Sequence, residues 1–261
     1  MLVLERTLTA IVLLAVVVGA LFFDPTGWAV KVLIVVIAGV CGYELGKLLK
    51  LPLLWGPIAG PVTATAIGGK YLFPIVYAAS LVLSIPLLVL AVKRNWPLLK
   101  GGGGYLYAMS GAVALYVLAS TKSPATWPLL MTAAIPIWCG DTAAIFVGKA
   151  FGKHKMAPDI SPNKTWEGGI GNLLACVGAA LVLGAIFHYP LVLMVLLGLN
   201  CGIIGQAGDL FESWLKRKAD VKDSGNILPG HGGLLDRLDS LMATAPISLL
   251  ILSSLVAPGK P

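Results

Sequence analysis

The sequence predicts an all-α fold, a polytopic membrane bundle of about nine transmembrane helices. Three observations carry that expectation. Hydrophobic residues make up 57% of the chain and only 12% of its 261 residues are charged, where a soluble domain carries about 25%. Apolar runs of about 18 to 20 residues recur along the length, enough for an α-helix to cross roughly 30 Å of hydrocarbon. Charge also divides by side. With the N-terminus inside, only Lys31, Lys70, Lys122 and Lys260 of the 19 basic residues fall outside, the asymmetry expected when Lys and Arg are kept in cytoplasmic loops.

The first span, 7–23, follows Glu5 and Arg6 and lacks a small-residue cleavage site. It reads as a retained helix rather than a signal peptide. Span 28–46 ends beside Tyr43 and Glu44, and Glu44 is expected to snorkel to the inner surface. Span 54–70 holds Pro57, Pro61, Gly68 and Gly69. Neighbouring helices can cover so irregular a backbone, and omitting this span would scramble the charge division. Spans 73–92, 104–121 and 128–148 follow. In the last of these, Asp141 within PIWCGDTAA lies inside the apolar run, where an acid is a functional-site hypothesis by default. Spans 168–187, 190–208 and 238–257 complete the set. Residues 1–100 thus read as N-terminal helices. Residues 101–261 read as C-terminal helices of the same bundle, carrying two inward loops, 149–167 and 209–237.

Several function classes drop out. The net charge of +7 comes without an aromatic-interleaved basic stripe or a reader motif, so no nucleic-acid partner is expected. Cys41, Cys139, Cys176 and Cys201 all sit in apolar segments with no close pair and read as packing residues. His154, His188 and His231 are too scattered for a histidine metal site. GKAFGK at Gly148–Lys153 lacks the GxxxxGK[ST] pattern of a P-loop.

The two inward loops hold most of the polar chemistry. Asp209, at the end of GIIGQAGD, shares a helix face with Ser213. Asp236 and Asp239, three apart, share a face where span nine begins. Helix capping accounts for one such aspartate but leaves the second, and the preceding HGG, unexplained. Carboxylates near lipid depth are costly unless paired or coordinated, and hard oxygen ligands suit Mg²⁺ together with substrate phosphates. Asp223 lies in the intervening loop. Gly225, Gly230, Gly232 and Gly233 allow a tight path and close phosphate approach. Lys216, Arg217, Lys222 and Arg237 supply cations for phosphate oxygens. In the other loop, Ser161, Asn163, Lys164 and Thr165 suit a phosphate or headgroup pocket, and a plain turn with a capping residue suits the same SPNKT segment equally.

The stretch SWLKRKADVKDSGNILPGHGGLLDRLDS, Ser213–Ser240, resembles the signature of phosphatidate cytidylyltransferases, also called CDP-diacylglycerol synthases. GDLFES before it, SPNKTWEG at Ser161–Gly168, and Asp141 with Gly148 and Gly152 are similar to further motifs of that family. The resemblance implies an integral-membrane enzyme that joins CTP to phosphatidic acid, with Mg²⁺ as cofactor and a homodimer as assembly. It implies multi-pass residence in the cell's inner (plasma) membrane with the site facing the cytoplasm. Carried over position by position, it implies catalytic roles for Asp209, Lys216, Arg217, Asp223, Asp236 and Arg237. It implies substrate contacts from Ser161, Asn163, Lys164, Thr165, Ser213, Lys222, His231, Gly232 and Gly233. Asp209 and Asp236 are the first metal ligands it implies, with Asp239 beside them. Two alternatives remain at this stage: a CTP-dependent polyprenol or dolichol kinase, which would release CDP, and an ion-coupled transporter built on broken helices.

Overall fold

A computed structural model describes residues 11–12, 15–16, 18–20, 28–51, 89–90, 92–95, 97–120, 126–230 and 232–255. The helices are α1 (Trp28–Leu48), α2 (Pro97–Ala119), α3 (Thr126–Phe151), α4 (Trp166–Phe187), α5 (Leu191–Lys218) and α6 (Leu235–Ser253). Between α3 and α4 lie two short strands, β1 (Lys155–Ala157) and β2 (Ser161–Thr165). They pair antiparallel, Lys155 opposite Thr165 and Ala157 opposite Ser161.

Two expectations need correction. Among the described residues, four helices are long and apolar enough to cross a membrane, not about nine. These are α1, α3, α4 and α5; α2 contributes a shorter apolar stretch, Ser110–Ala119. The expected spans 54–70, most of 7–23 and most of 73–92 lie outside the described residues. The case of α6 shows why hydropathy overcounts. Its first two turns carry Asp236, Arg237 and Asp239, and Met242, Ala243, Ala245, Leu249 and Leu252 are all buried within the protein. A helix apolar all round is as consistent with a packed core as with lipid. The fold is all-α apart from one hairpin, and the second correction is the plain turn offered for SPNKT. SPNKT reads as turn-forming because of its Pro and Asn, but Pro162 sits on a two-stranded ribbon, where a missing N–H need not break a ladder.

Local chemistry sets the helix ends nearest the site. Thr165 caps α4, its Oγ1 accepting from Gly168 N at 3.1 Å, and Glu167 sits in the first turn where the dipole favours an acid. Glu167 also bonds back to His154, with Oε1 2.6 Å from Nδ1, clasping the base of the hairpin. At the far end His188 closes α4 in the left-handed region, at φ 56°, its N–H bonded to Gly184 O.

Among the described residues the helices form two buried clusters. One joins α2 to α6 around Leu118, Leu129, Met194, Leu197 and Leu252. The other lies under the polar end of the molecule, where Leu45 of α1, Tyr107 of α2, Phe211 and Leu215 of α5, and Leu235 and Met242 of α6 meet. Tyr107 stacks edge-on against Phe211, centroids 5.4 Å apart, and its hydroxyl donates to Asp239 O at 3.3 Å. With lipid tails as apolar as leucine, such packing and interhelical hydrogen bonding hold the helices together.

Candidate active site

A cavity of about 990 Å³ opens between α3, the hairpin and the ends of α5 and α6. Four acids line it: Asp141 from α3, Asp209 from α5, and Asp236 and Asp239 from α6. The cations around them are Lys149, Lys155, Lys164, Lys216 and Arg237. Trp138, Ile145 and Met156 give the same cavity an apolar flank.

Three elements are tied together by charge. Lys164 of β2 pairs with Asp209 Oδ2 at 2.7 Å, joining the hairpin to α5. Asp209 Oδ1 also accepts from Ser213 Oγ at 3.4 Å, one turn along the same helix. Lys216 bridges α5 to α6, with its Nζ 2.7 Å from both Glu212 Oε2 and Asp236 Oδ1. Asp141 Oδ1 accepts from Asn172 Nδ2 at 3.2 Å, linking α3 to α4.

Asp236 is the most committed of these groups. Its Oδ2 accepts from Ser224 N at 2.9 Å and Gly233 N at 2.8 Å, while Oδ1 faces Lys216. Burial alone would raise this carboxyl, but the Lys216 ammonium and the two backbone N–H groups outweigh it and hold the group below the usual carboxylate range. The glycine-rich loop between α5 and α6 is closed by a second carboxylate, Glu44 of α1. It is wholly buried rather than snorkelling to a surface, and it accepts from Ser224 Oγ at 3.2 Å, Leu234 N at 3.1 Å and Leu235 N at 2.7 Å. The loop glycines answer to this group. A Cβ on Gly225 would lie 2.9 Å from Glu44 Cδ, and one on Gly233 would lie 2.8 Å from Glu44 Oε2.

Of the residues singled out in the sequence, Asp209, Lys216, Asp236, Arg237, Asp239, Asn163, Lys164 and Thr165 converge on the cavity. Ser213 stands behind Asp209, and Gly233 behind Asp236. Ser161 starts β2 away from the cavity wall. Arg217 turns aside, donating from Nε to Ile160 O at 3.3 Å and from a terminal nitrogen to Val221 O at 3.2 Å. Lys222 and Asp223 are exposed on the loop, and Gly232 adopts φ 87° there. His231 lies outside the described residues. Sequence reasoning missed Asn172, Gln206, Lys149 and Lys155 as cavity residues, and gave Glu212 no role. The Glu212–Lys216 spacing of four was a legible pairing signal; nothing local marked Asn172.

The acids fit one kind of metal site better than another. Among the described residues no three His, Cys, Asp or Glu side chains converge so as to hold an ion by themselves. Mg²⁺ seldom asks for that, since it commonly takes one or two carboxylates with water and substrate phosphates. A cavity lined by four aspartates and five cations suits a cation shared with a polyphosphate.

Comparison with known proteins places the chain. The model of the cytidylyltransferase family matches residues 4–255. A phosphatidate cytidylyltransferase of Brucella suis is 40% identical over 169 residues, covering 64% of this chain and 61% of that relative. One from Bacillus subtilis is 49% identical over 127 residues, 46% of each protein. The match to one from Pseudomonas aeruginosa runs nearly end to end: 33% identity, covering 95% of this chain and 96% of the relative. The chain thus spans about three fifths and about half of the first two relatives.

Proposed function

This chain belongs to the cytidylyltransferase family, and on that premise we propose that it transfers the CMP moiety of CTP to phosphatidic acid. The observation that carries the reading is one cavity bounded by acids, cations and an apolar flank. A triphosphate asks for the first two, and a lipid acceptor for the last. In the proposed reaction an oxygen of the phosphatidate phosphate bonds to the α-phosphorus of CTP. The bond from that phosphorus to the bridging oxygen of the β-phosphate breaks, releasing diphosphate and leaving CDP-diacylglycerol. The attacking oxygen is already ionised, so the chain need supply no strong base. Its work is to hold two anions in line against their repulsion.

Lys164, Lys216 and Arg237 are assigned to the phosphates, with Asn163 and Thr165 orienting them from the hairpin. Asp209 and Asp236, with Asp239 beside them, would share Mg²⁺ with the substrate phosphates, and the ion would neutralise phosphate charge and fix its orientation. The four apolar helices make this a membrane protein. We place the cavity on the cytoplasmic side of the plasma membrane because basic residues crowd its two loops. Labelling of a cysteine at position 158 or 219 by an impermeant thiol reagent in intact cells would overturn that side. A second copy of the chain is the proposed partner, on resemblance alone; a monomeric mass by light scattering in detergent would remove it.

The deciding experiment incubates purified protein with phosphatidic acid, Mg²⁺ and CTP labelled in either the α- or the γ-phosphate. The α-label should enter the lipid and the γ-label should leave as diphosphate. Transfer of the γ-label to lipid, with CDP released, would replace this reading with a kinase.

A further inference from the structure

We infer that Glu44 is a positioning residue, acting through the loop that joins α5 to α6. It belongs to α1, in the half of the chain where no motif pointed to the site, and it touches none of the cavity. α6 begins with a deficit. Leu234 occupies its N-cap position and offers no side-chain hydrogen bond to the free N–H groups of the first turn. Glu44 fills that gap from another helix, accepting from Leu234 N and Leu235 N, and its charge suits the positive end of the α6 dipole. The same carboxylate holds Ser224 Oγ. The backbone N–H of Ser224 in turn donates to Asp236 Oδ2, and Asp236 Oδ1 holds Lys216. A continuous run of bonds therefore leads from α1 to two groups lining the cavity. Gly225 and Gly233 leave no space for a Cβ between loop and carboxylate. The loop is built around Glu44.

Glu44→Gln tests this with almost no change of volume. Either orientation of the amide sets an NH₂ against Leu234 N–H or Leu235 N–H, donor against donor. Each charge-assisted bond lost should raise amide exchange locally by about 10- to 100-fold. The measurement is hydrogen exchange of the full-length protein in detergent, read at 222–235 and across α4. Faster exchange at 222–235 with α4 unchanged, together with a fall in kcat, is the expected result. A merely structural Glu44 would loosen α4, α5 and α6 together. Unchanged exchange at Leu234 and Leu235 in folded Glu44→Gln would overturn the inference. Should that variant fail to fold, Gly225→Ala displaces the same carboxylate from the loop side and must give the same local signature. Only the kcat arm rests on the proposed activity. If wild-type protein forms no nucleotide-lipid, that reading fails, and the exchange result still judges Glu44.

Discussion

Asp236 shows how far a motif can be read residue by residue. Its spacing from Asp239 and its place in the signature identified it as a site residue, and it does line the cavity. What spacing did not reveal is that both its oxygens are used inside the protein, by Lys216, Ser224 and Gly233. Those partners lie up to 20 positions away in sequence, beyond any helical period. Asparagine is therefore a poor replacement: with its oxygen toward the loop, its NH₂ would confront the Lys216 ammonium. Asp236→Asn should lower kcat/KM by at least about 10-fold, the scale of one lost bond to a charged group, with insertion and elution profile unchanged. Arg217 sits differently. The signature placed it with Lys216, but an i+1 neighbour on a helix faces another way, and its guanidinium holds Ile160 O and Val221 O. Lys216→Ala should cut kcat/KM far more than Arg217→Ala, measured side by side in detergent. Equal losses would place Arg217 on substrate after all.

At the scale of elements, α5 and α6 must sit close if Asp209 is to share a cavity with Asp236 and Asp239. Gly208 sets that distance: a Cβ there would lie 3.2 Å from Asp239 O and crowd Ala243. Gly205, one turn earlier, differs, since its Cβ would meet Thr244 Cγ2 at 3.5 Å and Ser240 Cβ at 3.7 Å, ordinary contact distances. Alanine at 205 should be neutral or stabilising by up to about 1 kcal/mol, the helix-propensity gain. Alanine at 208 should cost about 1–3 kcal/mol through overpacking and reduce turnover. Thermal unfolding in detergent with parallel activity assays would compare the two, and the reverse order would show that another contact sets the spacing. The sequence signalled the ends of these elements better than their contacts. A capping residue was one of two readings of SPNKT, and Thr165 does cap α4, whereas the glycines of α5 gave no sign of which one touches backbone.

For the whole molecule, composition sufficed to place it in a membrane but not to count its crossings. Hydropathy cannot separate α6, buried among its neighbours, from a helix facing lipid. The part least legible was the link between the two ends of the chain. Glu44 leaves the ribosome 180, 190 and 191 residues before Ser224, Leu234 and Leu235. At about 5–20 residues per second, that is a wait of roughly 10–40 s. During it a carboxylate in the last turns of an apolar helix, where an unpaired acid is costly, has none of its final partners. Biogenesis thus inherits a problem that the finished protein does not have. A nascent chain stalled after residue 220 should be short-lived in pulse-chase, and Glu44→Leu should prolong the life of that fragment while disabling the full-length protein. Equal lifetimes for the two fragments would mean that α1 finds Glu44 a temporary partner as it enters the membrane.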